Sequence, residues 1–436
     1  MTTRVEDLSP EAVVDVDHLS PEFKINEIEA WSAVRSRCPV AFNPRYGGFW
    51  MVTGYAAVAD ASRDDTTFAH RYDPSAQDGI HYVGTIGIPR PDGYPGLGVN
   101  EAEGPLHQLL RRTINPYLAP RQVEKMRPFV EQTAAWFLDQ RIGEGAMDLV
   151  LDFASPIPAV LTLALMGMPT DGWKHYSDLM HAAVAYPADS EEFRVAMSAM
   201  PGMITDIIDL VRTRRADPKE DLTSALAALE FEGQPLDDQQ IVNVMWNVIA
   251  GGLDTSTSTT GWALHFLALH PEVRAQLVTR PDVVPSAVEE FLRHFAVSRT
   301  LARTVTRDVV LDGQQLRRGD HLLVSYVGAN HDDAEFDAPH VIDIERTPNR
   351  HFAFGSGPHR CLGSHLARVL IQSMLTEVLT RVPDYALVDE RPDQYIAPLG
   401  VSGLKKLPVT FCPGSIVGVD TPFRATETTE VGDVRG

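Results

Sequence analysis

The chain has 436 residues, 44% of them hydrophobic, and 38 lysines and arginines stand against 59 aspartates and glutamates for a net charge of −21. That length buries a large core, and the acidic balance argues against nucleic acid and anionic membrane surfaces as partners. Three cysteines, Cys38, Cys361 and Cys412, make no disulfide framework. The N-terminus is acidic and polar, unlike a signal peptide or an anchor, and no apolar stretch reads as long enough to span a membrane. A soluble, cytoplasmic monomer is expected.

Residues 1–25 read as an extended lead-in around Pro10 and Pro21, and residues 48–61 alternate as a hairpin strand does, with Trp50, Val52 and Tyr55. Residues 71–105 are rich in Gly and Pro and predict a long irregular loop, a kind of segment that tends to be functional. From Glu103 to about Gly233 the pattern is mostly amphipathic helix. Helices continue through 242–269, 272–278 and 285–294, and short strands are expected at 309–311 and 321–326. A glycine-rich turn follows, then a helix from Ser364 and short strands up to Val409. From Pro413 to Gly436 Thr, Gly and Glu prevail, and a disordered tail is expected. No repeat or linker divides the chain, so residues 1–412 read as a single domain, mostly α with small β-sheets (α+β).

The glycine-rich turn reads Phe354-Gly355-Ser356-Gly357-Pro358-His359-Arg360-Cys361-Leu362-Gly363. A lone cysteine is by default a buried structural residue. That reading leaves the glycines, Phe354 and the basic pair His359 and Arg360 unexplained. A thiol just before a helix sits at the positive end of the helix dipole, which favours a thiolate able to ligate iron. The pattern Phe-Gly-x-Gly-x-His-x-Cys-x-Gly resembles the haem-binding loop of the cytochrome P450 family without a mismatch. The resemblance implies an axial Cys361 thiolate on haem b, with Phe354 packed on the thiolate side of the porphyrin, His359 at a propionate, and the N–H groups of Leu362 and Gly363 bonded to the sulfur. It runs from about residue 20 to residue 412 and implies the mostly helical triangular prism of that family.

A second motif lies in a long apolar helix, Asn247-Val248-Ile249-Ala250-Gly251-Gly252-Leu253-Asp254-Thr255. Two adjacent glycines each cost a helix roughly 1 kcal/mol against alanine, which a close-packed ligand or a local bulge would offset. The run resembles the family's oxygen-binding groove at Gly251. The resemblance makes Thr255 the hydroxyl that holds oxygen or a water, and Asp254 the acid that relays protons from solvent. The plainer reading is a capping-type acid and a threonine bonded back to its own helix. Asn247 shares the Gly251 face, where it could meet a substrate or a neighbouring helix.

Glu290-Phe291-Leu292-Arg293 is a weak signal alone. With Arg346 it resembles the family's ion network that braces the haem loop. His107 and Arg111, four apart on a helix, match the family's propionate pair, and Arg303 matches a further propionate ligand. The chain departs from the family in Gly104-Pro105-Leu106-His107 and in lacking a proline after Arg293.

The resemblance implies a haem-thiolate monooxygenase that takes O₂ and inserts one oxygen atom into a hydrophobic small molecule such as a terpenoid, steroid or secondary-metabolite intermediate. Pocket walls are expected at Asn247, Ala250, Val297, Leu301, Leu399 and Val401. No flavin or nicotinamide fingerprint is visible, so electrons are expected from a ferredoxin and its reductase. The rivals are a peroxide-driven peroxygenase, an oxidative-coupling enzyme, and a non-oxygenating haem isomerase, dehydratase or sensor.

Overall fold

The computed structural model describes residues 2–91, 94, 96–187, 189–395 and 400–423. The chain forms two compact units, each assembled from separated segments. The first comprises Met1–His107, Leu292–Cys361 and Pro398–Ser402, and the second Gln108–Phe291, Leu362–Ala397 and Gly403–Gly436. Two of the crossings fall inside the helices Gly104–Leu118 and Val284–Phe295. No linker composition marks them, which is why residues 1–412 read as one domain.

The first unit is built on a five-stranded sheet of β1 (Val40–Asn43), β2 (Phe49–Val52), β3 (Phe68–Ala69), β4 (Thr300–Val305) and β5 (His321–Ser325), in the order β1-β2-β5-β4-β3. β5 runs parallel to β2, and the other pairs are antiparallel. Successive side chains feed opposite faces. Phe42, Trp50 and Leu322 join one core cluster, while Ala41, Met51 and Leu323 join another. All four residues of β2 are therefore buried. The strand expected over 48–61 stops at Val52, and Tyr55–Arg63 is a helix that buries Ala57, Val58 and Ala61.

The lead-in is not extended. It holds two 3₁₀ turns, Val5–Asp7 and Pro10–Ala12, and a short helix Pro21–Ile25. The described residues between 71 and 103 are irregular apart from a small ladder, Tyr72–Asp73 with Tyr82–Val83, and a helical turn Gly98–Glu101. Glu101 is buried there. It accepts from the backbone N–H of Thr85 (2.7 Å) and Leu97 (2.8 Å) and pairs with Arg90.

The second unit is helical around Asp238–Leu269, which opens on a capping box between Asp237 and Gln240. This helix packs on Pro156–Met166, and Pro120–Asp139 packs on Ser364–Arg381. The helix runs unbroken through the paired glycines, without the bulge considered above. Gly252 is there for packing: a Cβ at that position would lie 2.6 Å from Thr162 Oγ1.

Two expectations are corrected here. Leu149–Met166 is long and apolar enough to span a membrane, contrary to the sequence reading, but it is mostly buried inside the protein as core. Residues 413–423, expected to be disordered, pack along the helix Pro120–Asp139. The backbone N–H groups of Val417 and Gly418 donate to Asp139, and Phe423 meets Trp136 edge-on with ring centroids 4.9 Å apart. Alternating small and polar residues hid these backbone anchors. Residues 424–436 lie outside the described residues.

Candidate active site

In the first unit the turn over 352–361 is folded on its own backbone. Gly355 N–H donates to the Phe352 carbonyl (2.8 Å), and Cys361 N–H to that of Phe354 (2.9 Å). Gly355 and Gly357 both have positive φ, +63° and +70°. A Cβ on Gly357 would overlap the Ser62 carbonyl oxygen, so glycine is required twice over. Phe354 is half-buried and the Cys361 thiol exposed.

His359 is sandwiched between the rings of His70 (3.6 Å) and His107 (3.9 Å). The structure thus brings His107 and His359 together. His70 had no signal in the sequence. Arg303, on β4, is 2% exposed. Its guanidinium donates to the Ala302 carbonyl (2.6 Å) and to the Tyr326 hydroxyl (3.3 Å), and no carboxylate pairs with it among the described residues. Burial pushes its pKa down. Arg111 lies four residues beyond His107 on Gly104–Leu118 and is half-buried.

Arg293, fully buried, donates to the carbonyls of Asn330 (2.7 Å) and Pro339 (2.8 Å). Both Arg293 and Arg346 donate to the Val341 carbonyl, each at 3.2 Å. The two arginines therefore brace one loop by its backbone. Glu290 is fully buried.

Val297 and Val401 are brought together by pairing between 297–299 and 400–402, while Leu301, on β4, packs against the core cluster of Trp50 and Leu322. Arg299 N–H donates to the Gly400 carbonyl (2.7 Å), and Ser402 N–H to that of Val297 (2.8 Å). Leu399 lies outside the described residues. Arg299 is buried beside them, 3.2 Å from Glu27 Oε2, and no sequence motif pointed to it.

In the second unit Thr255 donates its hydroxyl to the Gly251 carbonyl (2.8 Å), the plainer of the two readings for this side chain. A Cβ on Gly251 would meet nothing within 4 Å, so this stretch of helix faces open space. Ala250 is half-buried and Asn247 buried. Asp254 lies in mid-helix and is 4% exposed. Tyr395 donates to its carboxylate, with 3.0 and 2.9 Å to the two oxygens, Ser258 donates at 3.2 Å, and His181 Nδ1 lies 3.3 Å away. Tyr395 and His181 were missed, being 141 and 73 residues from Asp254 in the chain.

A family model described as cytochrome P450 matches residues 174–383. The steroid C26-monooxygenase of Mycolicibacterium smegmatis is 32% identical over 393 residues, spanning 89% of this chain and 94% of that protein. The chain belongs to the cytochrome P450 family. Another relative, the mycinamicin IV hydroxylase/epoxidase of Micromonospora griseorubida, is 32% identical over 329 residues, 74% of this chain and 81% of that one. Among solved structures, the P450 PksS of the Bacillus subtilis bacillaene polyketide synthase matches with a TM-score of 0.78 at 26% identity, over 91% of this chain and 99% of that one. P450BioI, solved with an acyl carrier protein bearing hexadec-9Z-enoic acid, matches at 0.77 and 26%, over 90% and 99%. The fold is the mostly helical α+β fold of the P450s, and the protein is a P450 monooxygenase.

The family implies a haem-thiolate group, and the first unit fits one. A guanidinium buried without an anion is unfavourable, and Arg303 is in that state within the unit that carries the exposed Cys361 thiol. A carboxylate-bearing macrocycle with a thiolate-seeking metal answers both.

Proposed function

We propose that this P450 binds haem b through the Cys361 thiolate and hydroxylates or epoxidises a small hydrophobic molecule. Arg303, buried with no carboxylate partner among the described residues, carries the reading, because it calls for a carboxylate. Arg303, His107, Arg111 and His359 would hold the haem carboxylates, Phe354 would pack beside the ligating thiolate, and Gly363 would lend its N–H to the sulfur. Arg293 and Arg346, with Glu290, brace the loop that precedes the turn. When bound, this group supplies thiolate-ligated iron, at which O₂ is cleaved.

The chain's own part is to position and to move protons. Thr255 presents a hydroxyl beside the open stretch at Gly251, and Asp254 relays protons to that face. Val297, Leu301 and Val401 are the apolar substrate-facing residues of the first unit, and Asn247 and Ala250 the substrate-facing residues of the second. A terpenoid, steroid or secondary-metabolite intermediate suits such side chains, and relatives named for a steroid and for mycinamicin IV support that class. Electrons come from a ferredoxin and its reductase. The test is the Soret band of the reduced protein under CO. A far-red-shifted band is expected, and Cys361→His should remove it while haem stays bound. Folded, haem-loaded wild type without that band overturns the reading.

A further inference from the structure

The carboxylate of Asp254 is enclosed by groups that themselves carry exchangeable protons. Tyr395 is buried, and burial followed by the charge of Asp254 pushes its pKa well up, so the phenol keeps its proton and donates it. His181 Nδ1 lies 3.2 Å from the Tyr395 oxygen and 3.3 Å from Asp254 Oδ1. The phenolic hydrogen is already committed to the carboxylate, so both neighbours of Nδ1 are acceptors. Nδ1 must therefore carry the hydrogen, and Nε2 is the basic atom of the ring. Nε2 is buried and has no protein partner among the described residues.

We propose that His181 feeds protons to Asp254, and that Tyr395 and Ser258 are positioning residues that aim the carboxylate at it. The proposal rests on the reading of Asp254 as the proton-relaying acid. Nε2 takes a proton from water, Nδ1 passes its own to Asp254 Oδ1, and Asp254 releases it toward the Thr255 side of the helix. The ring is left as the Nε2–H tautomer and resets once rotation turns Nδ1 toward water, Nε2 returning its proton to water and Nδ1 taking one, so one net proton crosses per cycle.

Among the described residues, the side chains bonded to the Asp254 carboxylate besides His181 are the hydroxyls of Tyr395 and Ser258. Of the elements packed on the helix Trp173–Ala185, Pro156–Met166 carries no titratable side chain. Glu191–Met197 carries Glu192 and an exposed Glu191–Arg194 pair. Leu404–Lys406 carries Lys405, which lies over the Tyr186 ring and pairs with Asp393, and the exposed Lys406 beside the same acid. Gly403 seals the cluster, since a Cβ there would overlap Ser258 Oγ and the Tyr395 ring.

The test compares haem-loaded wild type, His181→Gln, Tyr395→Phe and Asp254→Asn. Reductant consumption under air is driven by a bacterial ferredoxin–reductase pair, and dye oxidation is driven separately by added hydrogen peroxide. Peroxide brings both protons with its oxygen. His181→Gln should therefore slow the reductant-driven rate by at least about tenfold and leave the peroxide-driven rate within about threefold. Long-range ¹H–¹⁵N spectra of histidine-labelled wild type, assigned by the loss of one ring in His181→Gln, should show neutral His181 protonated on Nδ1. An Nε2–H tautomer overturns the proposal, as does an equal loss of both rates, which would mark a structural role. If Asp254→Asn is slow and His181→Gln is not, His181 is excluded and the Asp254 reading survives. If Asp254→Asn runs at the wild-type rate, both fall.

Discussion

Arg90 Nη1 lies 2.6 Å from Glu101 Oε1, and both side chains are more than nine-tenths buried. The same carboxylate holds the backbone at Thr85 and Leu97, so one acid ties two separated points of the glycine- and proline-rich loop. Glu101→Gln keeps the shape but removes the charge opposite Arg90. Losing one member of a buried pair costs about 3–5 kcal/mol. Urea unfolding should show a loss of that order, and limited proteolysis should cut the loop faster than in wild type.

Arg303 makes the opposite case. Replacing a buried charge that lacks an anion with an apolar side chain of similar length removes a desolvation cost. Arg303→Met should leave the haem-free protein as stable as wild type, or up to about 2 kcal/mol more stable, while haem transfers faster to an acceptor protein. A variant that destabilises the haem-free protein and leaves the transfer rate alone would contradict the role given to Arg303.

The paired glycines separate two effects. Gly252→Ala drives a methyl against Thr162 and should cost about 1–3 kcal/mol, with Thr162→Ala restoring most of the loss in a double-mutant cycle. Gly251→Ala meets nothing. It should gain the haem-free helix up to about 1 kcal/mol and slow CO binding to the reduced holoprotein.

Acid sensitivity follows from buried neutral histidines. Burial lowers His294 to about 3 and His18 to about 4, and holds His331 well below its ordinary value. Each binds a proton more readily once unfolded. The stability they contribute is complete above about pH 6.5 and drains as pH falls toward 3–4. For His294 at pH 5 the loss is about 2 kcal/mol. His294→Gln should flatten the acid limb of a denaturation midpoint plotted against pH, leaving the profile above pH 7 parallel to wild type.

The glycine-rich turn before Cys361 was legible because it is one continuous stretch whose glycines are dictated locally, by two positive φ values and one close approach to Ser62. The surroundings of Asp254 were not, because His181 and Tyr395 reach it only through tertiary packing. The alternation over 48–61 misled because β2 is buried on both faces, which erases the contrast on which a strand boundary is read. The C-terminal stretch misled for a different reason. Its anchors are backbone N–H groups on Asp139, and these carry no side-chain signature.

Gly403 places positions 258, 395 and 403 under a joint steric constraint. Tyrosine at 395 and serine at 258 are compatible only with a residue that lacks a side chain at 403. Homologues that keep Tyr395 should therefore keep Gly403, and those with a larger residue at 403 should have lost the tyrosine. The three positions ought to covary as one, so an alignment deep enough to resolve them would test the cluster independently of any enzyme assay.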